Sequence, residues 1–578
     1  MPSTDRVWRL SFHGAELRGF EELLSPAERT PAPDAAAAHA VADRWGAEGL
    51  ADAFPALGAA RFWWTARFAL HAALLGMLGP AAVLRRASEA GGPPARIVLE
   101  TPPPHGWWLP LLRGAAPDAR IETPAPPAAP GARAEQLRWW ALRLRRAVAT
   151  ERRIARLPAP DPRRPRVLLL SRDRLWNGER DEETHSVERA LRDAGCDVLL
   201  MSTSLHRFDA GERAFRTRPE THLFADALLP RHLLRRGLPK APPFTAPGRF
   251  EAEGVDWAAI VAPLCAGWLR DWHPQQRVAL DAFPPLLRRL GVRAAVLTDE
   301  NGGSQALKMG LLAGGIPVVA LQHGIIHADH LHYAFPRGTA PEEVPLPTLT
   351  CVYGAHEERL LVDGSIYPAA SVAPVGQPQT DALCGLPRWR ARSERGEARR
   401  RALLPAGCDT LLLYTSQGLY RDSVVPMLLR AVAAAPASYA LLVRPHPSEA
   451  GGFWERALAA HGLAERARVD ASGGIAEALD ACDVHLSISS TVLSEAVLHG
   501  RPNIVAGASQ AGDPHGILGR GVATVLGEGD SLERLVAEWL AKPADEVAAA
   551  REAFIRERYG PVDGQVGRRV AERVLALL

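Results

Sequence analysis

The chain has 578 residues, enough for roughly two to four domains that each bury a hydrophobic core. Hydrophobic residues at 47% and charged residues at 23% are ordinary for a globular protein, and a formal net charge of +3 gives no basic field that would indicate nucleic-acid binding. Six scattered cysteines without a CxxC pair argue against a disulfide framework and a structural zinc site, and they suit a reducing compartment. No apolar run follows a basic start, so we expect a cytoplasmic protein without a signal peptide.

Residues 1–125 are predicted to form a small α/β extension. Short apolar runs indicate strands at 7–12, 96–100 and 119–122. No catalytic pattern appears among them. The prolines at 124–130 cannot continue a helix or a central strand, so they predict a linker.

One segment of the extension, residues 62–84, is long and mostly apolar. Arg67 and His71 interrupt it and Pro80 closes it, whereas a spanning helix needs about 20 apolar residues with few charges. We therefore expect a buried core helix. A helix lying in a membrane interface, with Trp63 and Trp64 at the head-group level, is the alternative.

A basic helix is predicted over 132–157, inside a linking region that spans 126–160. Its apolar positions recur closely enough to pack one face of a helix. The expected role of its arginines is a solvated face, and the alternative is contact with an anionic membrane surface or an acidic polymer. These arginines are Arg138, Arg143, Arg145, Arg146, Arg152, Arg153 and Arg156.

Residues 161–345 are predicted to form a first Rossmann-like domain, which opens with the apolar strand 166–170. An acidic loop, a helix and a second strand follow, as in a β-α-β unit. The loop carboxylates either stabilise the following helix through their interaction with its dipole or have a functional role. Because they lie at the carboxyl end of a strand, that role would be to bind an acceptor or to act as a base. The loop residues are Glu179, Asp181, Glu182, Glu183 and His185.

Two later strands of this domain, at 294–298 and 318–321, end in polar residues. Asp299 and Glu300 follow the first strand, and His323 follows the second. Because parallel strands deliver their carboxyl ends to one edge of the sheet, we expect an acidic pair and a histidine at that edge. The prolines at 341–347 predict a hinge between the domains.

Residues 346–578 repeat the alternation of strand and helix and predict a second Rossmann-like domain. Its apolar strands include 441–443, 484–488 and 503–505. The fold class predicted for the whole chain is therefore α/β, with two doubly wound parallel-sheet domains facing a cleft and a small N-terminal α/β extension.

Three hydroxyl side chains, Ser489, Ser490 and Thr491, stand where a strand meets a helix. Their hydroxyls and the backbone N–H groups of the first helical turn can hold a phosphate. The alternative is simple capping of the helix, for which Ser and Thr are preferred. Three hydroxyls in a row favour the phosphate.

Arg444, His446 and Glu495 complete the predicted donor side. Arg444 and His446 follow the neighbouring strand and would add a cation and an N–H donor. Glu495 lies one turn into the helix and could accept hydrogen bonds from a ribose. The alternatives are a solvated arginine at a strand end and a surface carboxylate.

The motifs RPHP at 444–447, SST with a later Glu at 489–495, and QHG at 322–324 resemble those of GT-B glycosyltransferases of envelope and capsule polysaccharide synthesis. The most similar groups are the CMP-sialic acid and Kdo transferases and the CDP-glycerol glycerophosphotransferases. The resemblance covers roughly residues 166–578. It implies that His446 contacts the donor phosphate and that residues 489–491 bind phosphate or nucleotide.

The resemblance also implies a catalytic base in the first domain, which deprotonates an acceptor hydroxyl. His323 is the first candidate, and Asp299 and Glu300 are the second, because an acidic pair before glycine resembles the acidic motif of the sialyltransferases. In those enzymes the motif lies nearer the start of the fold, where Asp181 and Glu183 stand in this chain.

The predicted activity is transfer of a nucleotide-activated sugar or glycerol phosphate, specifically a cytidine-activated one, to a surface polysaccharide or glycolipid acceptor. Peripheral association with the inner face of the membrane is left open. We expect no metal and no cofactor, because no DxD-type dyad is present and the histidines at 323–332 match no standard metal site. The alternatives are a non-hydrolysing nucleotide-sugar 2-epimerase and a non-catalytic GT-B scaffold in polysaccharide assembly.

Overall fold

The structure is a computed structural model. It describes residues 6–13, 16–25, 28, 35–58, 60–103, 107–124, 132–171, 180–203, 222–225, 228, 232, 236–237, 239–248, 250–252, 255–298, 305–328, 330–383, 385, 387–417, 421–446, 449, 452–507, 513 and 515–578.

The N-terminal extension contains a four-stranded sheet in the order β2-β1-β5-β6, in which only the β1–β2 pair is antiparallel, and a separate hairpin of β3 and β4. The strands are β1 Val7–His13, β2 Glu16–Arg18, β3 Ala56–Leu57, β4 Ala60–Arg61, β5 Arg96–Leu99 and β6 Arg120–Glu122. The helices are α1 Ala35–Trp45, extended by a π-helical turn at Gly46–Leu50, α2 Trp63–Gly91 and α3 Trp108–Ala115.

Helix α2 covers the apolar segment of the extension. Among the described residues, one helix is long and apolar enough to cross a membrane, and this helix is α2. In the structure its Leu70, Leu74 and Leu84 are fully buried in the core of the extension. Arg67 is also buried, and its Nε donates to Asp43 at 2.6 Å, which compensates the buried charge. This agrees with the expected core helix.

The first large sheet has seven parallel strands in the order β15-β14-β13-β12-β7-β8-β9. They are β7 Arg166–Ser171, β8 Asp197–Ser202, β9 His222–Phe224, β12 Val292–Leu297, β13 Val318–Leu321, β14 Leu349–Val352 and β15 Val372–Pro374, and a short pair, β10 Glu251–Ala252 and β11 Val255–Asp256, lies outside the sheet. The helices of this part are α4 Ala132–Ile154, α5 His185–Asp193, α6 Ala258–Leu290, α7 Gln305–Ala313 and α8 Ala355–Val362, with 3₁₀ turns at Pro341–Glu343, Ala369–Ser371 and Pro378–Ala382.

The second large sheet has six parallel strands in the order β18-β17-β16-β19-β20-β21. They are β16 Thr410–Thr415, β17 Tyr439–Arg444, β18 Ala467–Val469, β19 Val484–Ser487, β20 Asn503–Ala506 and β21 Thr524–Leu526. The helices are α9 Glu394–Leu403, α10 Arg421–Ala434, α11 Phe453–Ala460, α12 Ile475–Ala481, α13 Val492–Leu498, α14 Leu532–Ala541, α15 Ala544–Tyr559 and α16 Val566–Leu575.

Both large sheets are covered on both faces, which explains why their strands are apolar without alternation. In β7, Leu168 and Leu170 enter one core layer, whereas Val167 and Leu169 enter the layer on the opposite face. Strand β16 divides its side chains between two core layers in the same way. The predicted fold class, two Rossmann-like doubly wound domains with an N-terminal α/β extension, is confirmed.

Each large sheet has a topological switch point, which is the place where the connections from two neighbouring strands lead toward opposite edges of the sheet. In the first sheet the chain runs from β7 to β8 and β9 and then returns to β12 on the other side of β7. In the second sheet it runs from β16 to β17 and β18 and returns to β19. Ligands of doubly wound folds bind outside the carboxyl ends of the strands at such points, so these two crevices are the places to look for a site.

The first sheet extends further along the chain than expected. Strands β14 and β15 pair within it, so the predicted boundary at residues 345/346 lies two strands too early. The last helix, α16, also returns to the first sheet: Val566 and Val570 share a core layer with Val167 and Leu169. Asp381 fixes the start of α16, because its carboxylate accepts from the N–H groups of residues 566 and 567 at 2.8 and 2.7 Å.

Candidate functional site

The switch point of the second sheet brings together the residues that follow β16 and β19. The Gln417 Nε2 donates to the Ser489 Oγ at 2.5 Å. Strand β16 also pairs with β17, which places the Arg444 end beside the same crevice. The polar residues that follow these three strands therefore share one edge, as the strand order requires.

The three predicted hydroxyls have different environments. Ser489 is half-buried and bonded to Gln417. The Ser490 Oγ accepts from the Val492 N–H, the first N–H of helix α13, at 3.3 Å, so this hydroxyl stabilises the start of the helix from one position before the N-cap residue. Thr491 is exposed at the crevice. Capping, the alternative role of this motif, thus describes Ser490, while Ser489 and Thr491 make no capping bond among the contacts of the described residues.

A buried histidine orients the backbone of the serine motif. The His515 Nε2 lies 3.2 Å from the Ser489 carbonyl oxygen, and its Nδ1 lies 3.0 Å from the Ser494 Oγ. Burial lowers the pKa of His515 to about 4, so the ring is neutral near pH 7. Because a carbonyl can only accept, Nε2 carries the hydrogen and Nδ1 accepts from Ser494. In a trans peptide the Ser490 N–H then points away from His515.

A second buried histidine ties three strands together beneath the crevice. The His485 Nε2 lies 2.8 Å from the Thr415 Oγ1, and its Nδ1 lies 2.9 Å from the Asn503 Oδ1. The Asn503 Nδ2 donates in turn to the Leu493 carbonyl in helix α13 at 2.7 Å. Burial lowers the pKa of His485 to about 4. This neutral network fixes β16, β19 and β20 against the helix that carries the site.

Arg444 and His446 lie at the end of β17, as predicted, but their bonds are local. The Arg444 guanidinium donates to the carbonyls of Ser472 and Gly473 at 3.1 and 2.7 Å, and burial lowers its pKa from the ordinary value. The His446 backbone N–H donates to the Glu449 carboxylate at 2.9 Å. The Arg444 guanidinium is therefore not simply solvated, as the alternative interpretation expected. It is used in part to hold the neighbouring loop, so it is not directed wholly toward the crevice.

Glu495 is half-buried on helix α13. Burial raises the pKa of its carboxyl group to about 7, far above the ordinary value of 4.5. A surface charge would keep an ordinary pKa, so the surface-carboxylate alternative does not describe this residue. A carboxyl group whose pKa is raised by burial, on a helix that starts at the carboxyl end of a strand, is typical of a functional site.

Gln322 joins the carboxyl ends of β13 and β14 in the first sheet. Its Oε1 accepts from the Tyr353 N–H at 2.8 Å, and its Nε2 donates to the Gly324 carbonyl at 2.8 Å. These bonds hold His323 between two fixed positions, at the end of β13. A Cβ added at Gly324 would meet no described atom within 4 Å, so the described part of the chain leaves space beside the histidine.

The acidic loop before α5 contributes two buried carboxylates with different roles. Asp181 accepts from the Ser171 hydroxyl and from the Glu183 N–H, so it stabilises the loop itself. Glu183 is buried as well, and its charge contributes to the raised pKa of Tyr353, which follows β14 of the same sheet. The second candidates for the base, Asp299 and Glu300, lie outside the described residues, as does Glu179.

The two sheets meet at a pair of tyrosines. Tyr353 follows β14 of the first sheet and Tyr559 ends α15, and their rings stack with centroids 6.0 Å apart and planes at 17°. Burial raises the pKa of both phenols, and the charges that raise it further for Tyr353 include Glu183 and Glu495. A carboxylate from each sheet thus lies close to one aromatic pair.

The loop after β13 contacts the N-terminal extension. The Arg67 Nη1 donates to the Leu331 carbonyl at 3.1 Å, and the rings of His332 and Phe68 pack with centroids 4.1 Å apart. The extension therefore supports the loop that carries His323.

Sequence reasoning missed Gln417, His515, Tyr353 and Tyr559. Gln417 directly follows an apolar strand, so the rule that selects Ser489 also selects it. His515, Tyr353 and Tyr559 come from separate parts of the chain, and no local pattern marks any of them as a member of the site.

Comparisons with known proteins end at the level of fold. No family model matches the chain, and no curated protein matches it. Among solved structures, Anabaena Alr3699/HepE in complex with UDP and glucose is 12% identical with a TM-score of 0.44, covering 72% of this chain and 100% of that chain. A glycosyltransferase from Rickettsia africae is 10% identical with a TM-score of 0.45, covering 71% and 99%. A UDP-N-acetylglucosamine 2-epimerase is 15% identical with a TM-score of 0.46, covering 72% and 95%.

At identities and TM-scores this low the likeness carries no argument about activity, and the fold assignment rests on the strand orders of the two sheets.

Proposed function

We propose that the chain transfers a nucleotide-activated sugar, or glycerol phosphate, to an acceptor hydroxyl. The donor would bind at the switch point of the second sheet, and the acceptor would bind at the edge of the first. One observation carries the proposal: Tyr353, at the end of β14 in the first sheet, packs in one buried cluster with Leu493 and Val497 of helix α13 in the second, so the two edges face each other.

The donor side is supported by the hydrogen-bonding groups around Ser489. The hydroxyls of Ser489, Ser490 and Thr491 and the amide of Gln417 are neutral donors that can hold phosphate oxygens without a metal. The Ser490 Oγ accepts from the Val492 N–H and still has its own hydrogen to donate. His446 would contact the donor phosphate, and Arg444 would hold the neighbouring loop. The Glu495 carboxyl, which is already partly withdrawn from water, would accept from ribose hydroxyls.

The base side is supported by the fixed position of His323. In the proposed reaction the acceptor oxygen attacks the activated carbon or phosphorus, and its proton passes to the base. The bond from that centre to the leaving phosphate oxygen breaks, and the nucleotide departs with the electron pair. His323 is the first candidate for the base, Asp299 and Glu300 are the second, and Glu183 joins them because it is buried at the same edge.

The donor and acceptor classes follow from the sequence resemblance. It indicates a cytidine-activated donor and a surface polysaccharide or glycolipid acceptor in the cytoplasm. A 2-epimerase would use the same switch point for a nucleotide sugar but would need no acceptor, and a scaffold would need neither.

The first experiment is a thermal-shift screen of the full chain with CMP, CDP, UDP and GDP. A nucleotide that binds only the folded state raises the melting temperature, by on the order of 5 °C when it is far above its Kd. We expect the cytidine nucleotides to give the largest rise. If no nucleotide raises the melting temperature, the proposal fails.

Ser490→Ala tests the donor side, and Ser531→Ala is its matched control. Both serines cap a helix through one bond, from the Val492 N–H at 3.3 Å and from the Arg534 N–H at 3.2 Å. Each variant should lose about 1 kcal/mol of stability. Only Ser490→Ala should also reduce the nucleotide-induced rise, and equal nucleotide responses would contradict a donor site at this motif.

His323→Ala tests the division of roles. It should lower turnover with little effect on nucleotide affinity, because the base lies on the first sheet. Equal loss of nucleotide affinity from His323→Ala and Ser490→Ala would contradict that division. Conversion of UDP-N-acetylglucosamine to a new nucleotide sugar without an acceptor would replace the transferase with the epimerase.

A further inference from the structure

Helix α4 exposes an apolar stripe. Leu137, Trp140, Leu144 and Val148 are 71%, 40%, 52% and 44% exposed. They are spaced by three or four residues, so they lie along one face of the helix. Single exposed apolar residues are common on protein surfaces, but four large ones in line are not.

The opposite face of α4 is firmly packed. The Thr150 Oγ1 accepts from the Phe224 N–H at 3.2 Å, and the Arg153 Nη1 donates to the His222 carbonyl at 2.8 Å. The Arg146 guanidinium lies 4.6 Å from the centroid of the Phe224 ring. These contacts dock α4 on β9, the edge strand of the first sheet, and the stripe points away from it.

Cations flank the stripe. Arg138, Arg145 and Arg152 are exposed and recur every seven residues, so they follow one side of the helix, and the exposed Arg156 lies just past its end. The nearby carboxylate of Glu151 is bonded to Arg289 at 3.3 Å. The face therefore combines an apolar stripe that includes a tryptophan with a row of arginines, which is the composition of a helix that lies in a membrane interface.

We propose that this stripe of α4 docks on a bilayer surface that contains anionic lipids. The apolar side chains would enter the boundary between head groups and acyl chains, and the arginines would meet the lipid phosphates. A second copy that met this face with its own α4 fits less well, because it would set one row of arginines against another. The inference does not depend on the proposed transferase activity.

The test is sedimentation of the full chain with vesicles. We expect binding to vesicles of equal parts phosphatidylglycerol and phosphatidylcholine, weakening as salt is added, and little binding to phosphatidylcholine alone. Val148→Glu should weaken binding about tenfold or more, because it places a carboxylate among the anionic head groups. Val525→Glu is the matched control, because Val525 is 37% exposed on the distant strand β21.

A second pair of variants tests the charge without touching the apolar stripe. Arg138→Gln with Arg152→Gln should weaken binding about fivefold for each arginine removed. Arg395→Gln with Arg568→Gln is the control, because these arginines are 92% and 66% exposed elsewhere on the surface. Melting temperatures equal to that of the wild type show that the two valine variants and the two arginine double variants are folded.

Any of three results would overturn the proposal. The first is a wild type that anionic vesicles do not retain. The second is equal binding of Val148→Glu and Val525→Glu. The third is a dimer, seen by sedimentation velocity, that Val148→Glu dissociates, because this result would assign the stripe to a second copy of the chain.

Discussion

Removing the charge of Glu495 is predicted to raise the stability of the protein and to weaken its binding of a nucleotide. Burial raises the pKa of its carboxyl group to about 7 from 4.5. The folded state therefore holds the proton more tightly than the unfolded chain, and the unfolding free energy falls as the pH rises between those two values. At about 1.36 kcal/mol per pKa unit, the ionised group costs roughly 3 kcal/mol above pH 7. This is an upper bound, because part of the side chain reaches solvent.

Glu495→Gln keeps the size of the side chain and removes its charge. Urea unfolding followed by tryptophan fluorescence should find the variant more stable than the wild type by up to about 3 kcal/mol at pH 8, and by only about 1 kcal/mol at pH 5. Glu455→Gln is the control, because Glu455 is exposed on α11 and should give no such pH-dependent gain. A difference between variant and wild type that is the same at both pH values would refute the reasoning.

The same variant bears on the proposed donor site. If Glu495 accepts from a ribose, Glu495→Gln should be more stable at pH 8 and yet respond less to a bound nucleotide. Such a trade-off is typical of residues kept for function at a cost in stability. A gain in stability with an unchanged nucleotide response would remove Glu495 from the donor site while leaving its burial established.

Two other sets of buried polar groups give predictions. Asp381→Ala should lower the free energy of unfolding in urea by about 2 kcal/mol and speed cleavage by trypsin within α16, because two backbone N–H groups lose their acceptor. Asp545→Ala, at an exposed helix start, is the control. Equal losses of stability in the two variants would contradict this role of Asp381. Burial lowers the pKa of His485 and of His515 to about 4, below the ordinary value of 6.5, so the unfolded chain takes up protons first as the pH falls. The unfolding free energy should drop by about 2 kcal/mol per histidine between pH 7.5 and pH 5; His485→Gln should flatten this dependence, and an unchanged slope would count against a neutral buried ring.

The two sheets could be predicted because their strands are buried on both faces. Runs such as Val167–Leu170 and Leu411–Leu413 are apolar without alternation, and such runs separated by helices are typical of a parallel sheet with both faces covered. The rule that ligands bind at strand ends then selects Ser489 and His323 without knowledge of the strand order.

The assignment of strands to sheets could not be predicted in the same way. The prolines at 341–347 predict a hinge, yet the 3₁₀ turn Pro341–Glu343 lies on a crossover between β13 and β14 of one sheet. A proline-rich connection has the same local chemistry in both cases. What decides between them is pairing with β13, which is a tertiary contact.

The internal organisation of the site was also beyond the sequence. Ser490 and Thr491 are neighbours of similar chemistry, but one caps a helix and the other is exposed. The meeting of Tyr353 with Tyr559 depends on how α15 crosses from the second sheet toward the first. Such contacts between distant segments leave no periodicity that a sequence pattern could reveal.

The return of α16 to the first sheet has a consequence for synthesis on the ribosome. Val566, Val570 and Val574 complete a core layer over strands that emerge before the entire second sheet. At translation rates of about 5–20 residues per second, those strands wait on the order of tens of seconds with this face covered by α5 but not yet by α16. The nascent first domain is therefore a substrate for chaperones that hold exposed apolar surface, and its folding finishes only after the second domain has been made.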